Sequence, residues 1–210
     1  MGTPWPVEPE GIPRGERAAD LADLLPRSER STLADAGIRV LAEEGARGLT
    51  HRAVDAAAGT PRGTASNYFP TRDDLISALV DRIGERLTPD PGAASPRAAR
   101  IHDRELFADY LRDVVRRLSA DPHVSLALFE LRLEATRRPA VAKAFGAWRQ
   151  QALQEDVSFD DGSGLPGGRT EIALFHYAID GLLVDHLTAP LDTGLSVEAA
   201  INEFVDRILQ

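Results

Sequence analysis

The chain has no cysteine among its 210 residues, so disulfides and thiolate metal sites are excluded. It has no apolar run of about 18 residues, and no membrane span is expected. The opening stretch, MGTPWPVEPEGIPRGER, mixes acids and prolines and has no apolar stretch of the kind a secretory signal uses. Together these absences lead us to expect a cytoplasmic protein. Strand-like alternation of useful length is missing, and so is any repeat with a period of about 20–50 residues. No G-x-S-x-G elbow, Walker loop or H-E-x-x-H pair occurs, so no motif nominates an enzyme and no cofactor is expected.

Positive charge is also scarce. The formal net charge is −9, unfavourable for a polyanionic partner, but it is unevenly spread. Residues 45–72 hold Arg47, Arg52, Arg62 and Arg72 against Asp55 alone, a local balance of +3. The residues before them sum to −4 and those after them to −8. A local basic patch inside an acidic chain directs phosphate contacts to one place.

That patch coincides with the most structured signal in the chain, LTHRAVDAAAGTPRGTASNYFPTRDDL, residues 49–75. Thr50 is placed to cap a helix whose small apolar face is Ala53, Val54, Ala57 and Ala58. Gly59 stands where that helix must stop, in a conformation glycine adopts without a Cβ penalty. Thr60 is expected to cap a second short helix with Pro61 at its first position, running to Tyr68. Pro70 ends it, and Thr71 caps the next helix with Asp73 and Asp74 in its first turn. A short helix after a glycine turn, displaying Arg62, Thr64, Ser66 and Asn67, is how a helix-turn-helix offers side chains to a major groove.

The segment resembles the DNA-binding domain of the tetracycline-repressor-like transcriptional regulators. The resemblance rests on Gly59, Thr60, Pro61, Arg62, Gly63 and Thr64, then Tyr68, Phe69, Pro70, Thr71, Arg72, Asp73, Asp74 and Leu75, preceded by a helix from Ser28 to Glu44. Where many members place Leu-Tyr, this chain has Ala65 and Ser66. The resemblance implies a double-stranded DNA operator, a small-molecule inducer and a homodimer. Arg62, Thr64 and Asn67 are expected at or near the bases, with Ser66, Thr60 and Pro61 beside them. Thr50, His51, Arg52, Tyr68 and Arg72 are expected at the phosphates, where contacts position without reading sequence.

The expected fold is all-α: a prolyl tail over 1–26, a DNA-binding domain with its connecting helix over 27–87, and a helical regulatory and dimerisation domain over 98–210. The boundary is the Pro- and Gly-rich stretch TPDPGAASPR. Helical spacing predicts elements over 71–87, around 106–118, from Pro122, from Pro139, over 169–188 and over 197–209, with 158–168 as a loop. The breadth of apolar residues over 169–209 suggests pairing with a second copy through those two helices, with Leu183 and Phe204 as test positions. Tyr110, Phe129, Arg132, Phe145, Trp148, Phe175, His176 and Asp180 are the candidate lining of a ligand cavity. His176 and Asp180 share a helix face, but two ligands make no metal site, and no metal is assigned. Glu130 and Glu134, followed by Arg137 and Arg138, suggest surface ion pairing. Two rival readings are a helical interaction module whose helix-turn-helix does not read DNA, and a metal-dependent sensor or enzyme around His176.

Overall fold

The computed structural model describes residues 28–89 and 101–209, so the expected tail lies outside the described residues. Among the described residues every regular element is a helix. In chain order they are α1 (Glu29–Gly48), α2 (His51–Ala58), α3 (Thr64–Tyr68), α4 (Arg72–Leu87), α5 (Arg104–Ala120), α6 (Pro122–Ala135), α7 (Pro139–Ser163), α8 (Arg169–Thr188) and α9 (Val197–Ile208). None of them is long and apolar enough to cross a membrane.

Local chemistry explains most boundaries. Ser28, Thr50, Thr71, Asp103, Asp121 and Ser196 each accept a backbone N–H at a helix start. At α4 the cap is reciprocal: the Asp74 N–H donates to Thr71 Oγ1, and the Thr71 N–H donates to Asp74 Oδ2. Gly59 ends α2 in the left-handed region at φ 67°, and its N–H reaches back to the Ala56 carbonyl. Inside α1, Gly45 has φ 68° and breaks the regular helix three residues before its end.

Two expected helix boundaries need correction. The short helix does not begin at Thr60–Pro61. It begins at Thr64, and Gly63 at φ 94° is its N-cap residue. Thr60 turns back toward Asp55 of α2, so Pro61 and Arg62 belong to the turn. The segment 158–168 is not a loop along its whole length: α7 runs to Ser163 and closes at Gly164, φ 69°. Val157 and Asp160 are buried there, so packing carries the helix past a glycine that weakens its local propensity. The spacing G-x-G-x-x-G does occur, at Gly162–Gly167, but at a helix C-terminus with no strand before it, which is not the context of a dinucleotide loop.

Two cores organise the bundle. One joins α1–α4 through Leu33, Leu41, Val54, Phe69, Leu75 and Leu79 and extends into α6 and α7 through Leu131 and Phe145. The other joins α5, α8 and α9 with the end of α7 through Phe107, Phe175, Ile179, Leu183, Ile201 and Val205. The unit of α1–α4 is therefore not hung on a linker but shares a core with α6 and α7. Buried Asp35 of α1 reinforces the join. It accepts two hydrogen bonds of 3.0 Å from Arg82 and approaches Arg86, which also pairs with Asp121 at 2.5 Å. Glu134, expected on the surface, is buried and pairs with Arg138 at 2.6 Å.

Candidate nucleic-acid interface and ligand cavity

The short helix α3 has five residues and cannot hold itself. Asp55 of α2 holds it. The buried carboxylate accepts the N–H groups of Gly63 and Ala65, both at 2.7 Å, and so satisfies orphan donors at the start of α3. Ala65 and Phe69, both fully buried, press the helix onto the core. The opposite side carries Arg62, Ser66 and Asn67, all exposed. Arg62 and Asn67 side chains make no hydrogen bond among the described residues, nor does exposed Arg52 at the start of α2. Thr64 and Ser66 hydroxyls donate to the carbonyls of Pro61 (2.7 Å) and Gly63 (2.9 Å).

The residues expected at phosphates divide. Arg52 is outward. Thr50 serves as the α2 cap at 3.1 Å from the Ala53 N–H. His51 Nε2 lies 2.6 Å from the Phe69 carbonyl, tying α2 to the end of α3. Tyr68 is exposed, but its hydroxyl donates to Glu29 of α1 at 2.7 Å. That bond, then burial and the Glu29 charge, pushes the phenol above its usual range. Arg72 is the clear correction: its guanidinium turns inward and donates to the carbonyls of Ala46 and Leu49, bracing the α1–α2 corner rather than facing solvent. An arginine beside a helix cap reads as a phosphate ligand in sequence; only the chain path shows two carbonyls nearer. Arg30, by contrast, was not singled out; it donates to the Tyr68 carbonyl at 3.2 Å and stacks over Phe69 at 4.8 Å.

The body encloses a cavity of about 210 Å³ between α5, α6, α7 and α8. Seven of the eight candidate ligand residues line it: Tyr110, Arg132, Phe145, Trp148, Phe175, His176 and Asp180. Phe129 does not; it packs half-buried against the core of α5, α8 and α9. The wall also takes Phe107, Arg149, Asp156, Phe159 and Asp160, which the sequence pattern had not indicated. Phe159 and Asp160 were missed because α7 was expected to end before them. Phe107 meets Phe175 at 4.8 Å, and Tyr110 meets Phe159 edge-on at 5.0 Å.

Charges in the wall are mostly paired. Asp180 of α8 accepts Arg132 of α6 at 2.7 Å and Arg149 of α7 at 2.9 Å. His176 lies 2.9 Å from Asp156. The His176–Asp180 face is thus taken up by partners on other helices, and among the described residues no group of three potential metal ligands assembles. Asp160 is the exception: it is 3% exposed, and its Oδ1 is buried with no hydrogen-bond partner. Burial first, then the charges of Asp161 and Glu171, pushes its carboxyl above the usual range.

A short helix displayed by a glycine turn, locked from below and fringed by arginines, defines a helix-turn-helix DNA-binding protein with a cavity-bearing helical body. Two family models match: bacterial regulatory proteins of the tetR family over residues 33–79, and the tetracyclin repressor-like C-terminal domain over residues 102–210. The chain belongs to the tetracycline-repressor-like family of transcriptional regulators.

Solved structures agree. A transcriptional regulator from Rhodococcus sp. Rha1 shares the fold at 23% identity and a TM-score of 0.69, over 87% of this chain and 97% of its own. A tetR-family member from Streptomyces coelicolor A3 is 26% identical with a TM-score of 0.65, over 87% and 99%. The multidrug binding protein EbrR, in its complex with imidazole, is 26% identical with a TM-score of 0.63, over 88% and 97%. EbrR has also been solved with proflavin, ethidium and malachite green. A search of curated proteins finds no match.

Proposed function

We propose that this regulator is a repressor that binds its operator as a homodimer and is released when a small molecule enters the body cavity. The observation that carries this reading is the position of Trp148. Its ring lines the cavity, and its Nε1 lies 2.7 Å from where a Cβ on Gly84 of α4 would stand. The helix that leaves the DNA-facing unit therefore touches a cavity wall directly. A ligand that prefers one Trp148 position over another biases the placement of α4, and with it the separation of two heads in a dimer.

In this reading residues 27–87 contact DNA and residues 98–210 form the regulatory and dimerising unit. Arg62, Thr64, Ser66 and Asn67 face the bases, while Arg52 supplies a phosphate contact, joined by Tyr68 if it leaves Glu29. The exposed stripe Leu174, Tyr177 and Val184 on α8 is the proposed seat of the second copy. EbrR's drug complexes support the cavity as a ligand site by similarity. Selection of genomic fragments by the purified protein, followed by ligand-induced release from the selected site, tests the proposal. Recovery of no sequence above background contradicts the operator; release by no ligand that binds contradicts the switch.

A further inference from the structure

Tyr68 stands beside Asn67 at the exposed end of α3, yet its hydroxyl is already committed. It donates to Glu29 Oε2, in the first turn of α1, at 2.7 Å. The contact belongs to a built junction rather than to two loose side chains. Arg30, the next residue of α1, donates to the Tyr68 carbonyl at 3.2 Å and lies 4.8 Å from the Phe69 ring centre. His51 of α2 meets the Phe69 carbonyl at 2.6 Å, and Phe69 itself is fully buried. The backbone that carries Tyr68 is therefore held from two helices, and the first turn of α1 holds both its carbonyl and its hydroxyl. The bond to Glu29 is the first reason the phenol ionises above its usual range. The Thr64 and Ser66 hydroxyls also donate internally, but to neutral carbonyls of their own turn. Of these three hydroxyls, that of Tyr68 alone is held by a charged side chain from another helix.

A phenol has one proton to donate. Tyr68 can give it to Glu29 or to a DNA phosphate but not to both, and the two anions repel each other at close range. We propose that Glu29 is an internal competitor for DNA: it occupies the Tyr68 hydroxyl in the free protein, and operator binding has to break this bond before Tyr68 reaches a phosphate. This rests on the reading of α1–α4 as an operator-binding head. Binding then exchanges one charge-assisted hydrogen bond for another. Tyr68 adds little to net affinity although it touches DNA, because its bond in the complex replaces an equivalent bond in the free protein. Glu29 thereby lowers the affinity of the head without removing any contact from the complex. A head attenuated in this way is easier for a ligand to empty, because the coupling between the two sites has less binding free energy to overcome. An acid in the first turn of α1 also suits the helix dipole, but that role needs no tyrosine.

The experiment is a double-mutant cycle on the full-length protein, read as DNA affinity at one salt concentration. The probe is a duplex carrying the genomic site that the wild type selects. Glu29→Gln keeps the side-chain shape and replaces the charged acceptor with a neutral one. It is expected to tighten binding about tenfold, the difference between a hydrogen bond to a charged and to a neutral acceptor. Glu29→Ala, which leaves no acceptor, is expected to tighten binding at least as much. Tyr68→Phe alone is expected to change affinity by less than about threefold, since it removes one bond from each state. In the Glu29→Gln background the same substitution is expected to weaken binding about tenfold, because the phosphate contact no longer replaces an equal one. Thermal melts check that each variant folds. Unchanged or weaker binding by both Glu29 variants overturns the proposal and leaves Glu29 a helix-end acid. Equal tightening with and without the Tyr68 hydroxyl also overturns it, since the gain then reports only a negative charge removed near DNA. So does a loss of about tenfold from Tyr68→Phe alone, which shows a phosphate contact with no competitor. In each of these cases operator binding itself stands. A wild type that selects no site overturns the operator reading and this proposal with it.

Discussion

Trp148 of α7 and Gly84 of α4 approach so closely that a Cβ on Gly84 would stand 2.7 Å from the indole Nε1. No side chain fits between the two helices there, so the Trp148 ring must shift if Gly84 gains one. Gly84→Ala is expected to lower stability by about 1–3 kcal/mol, the usual cost of overpacking. It should also displace Trp148 in the cavity wall and weaken the effect of ligand on DNA affinity. The check is a thermal melt together with operator affinity measured with and without a bound ligand. A variant with unchanged melting and unchanged coupling removes Trp148 from the switch.

Asp55 and Arg62 are expected to fail in different ways. Asp55→Ala leaves the N–H groups of Gly63 and buried Ala65 without an acceptor. A loss of about 1–3 kcal/mol in stability follows, with DNA binding lost as α3 loosens. Arg62→Ala should melt as the wild type does but bind operator more weakly by about 1–3 kcal/mol if the guanidinium holds a base. Arg52→Ala should weaken all DNA alike and reduce the salt slope by about one unit. Melting curves paired with binding across a salt series separate the three.

For the dimer, the useful test positions are not those suggested by apolar content alone. Leu183 is buried within its own chain, at 3% exposure, so Leu183→Arg is expected to unfold the body rather than split a dimer. Tyr177 and Val184 on α8 are exposed at 68% and 40%. Tyr177→Arg and Val184→Arg are expected to yield folded monomers, since a buried unpaired charge at an interface is strongly unfavourable. Light scattering with circular dichroism reads both properties. A wild type that is monomeric at micromolar concentration refutes the dimer directly.

Acid should act on three carboxylates in two directions. Asp74 is held below the usual carboxylate range, first by the Thr71 hydroxyl and then by the Thr71 N–H. At Asp121 burial pushes upward, but Arg86 and His123 outweigh it and the net direction is down. Both contribute stability that is present above the ordinary value of about 3.9 and is lost as pH falls through their depressed folded values. Asp160 is raised, so the sign reverses: its contribution falls as pH rises from the ordinary value through the folded one. Asp160→Asn is therefore expected to melt like the wild type in acid and above it at neutral pH. Asp74→Asn should show the reverse, with its loss confined to the higher pH range. Melting temperature against pH reads both.

Much of the fold was legible without coordinates because its signals are local. Thr50, Thr71 and Asp121 cap helices through atoms two to three residues away, and Gly59 turns where its own backbone requires a positive φ. Apolar spacing sufficed for the starts of α6, α7 and α8, since period and breaker residues lie in the same window. The candidate DNA face was legible for the same reason, as Arg62, Ser66 and Asn67 sit on one short turn. Tertiary structure alone decided what depends on residues distant in sequence. Asp55 moved the start of α3 from Thr60 to Thr64 by accepting two N–H groups across the turn. The corner carbonyls of Ala46 and Leu49 drew Arg72 inward. Packing of Val157 and Asp160 carried α7 through a segment whose glycines and acids read as a loop. The same extension put Phe159 and Asp160 into a wall shared by four helices. A chain pattern records which residues are apolar or charged, but not which of them face one another across a bundle. That facing determines a cavity, its unpaired charge and the buried side of Leu183.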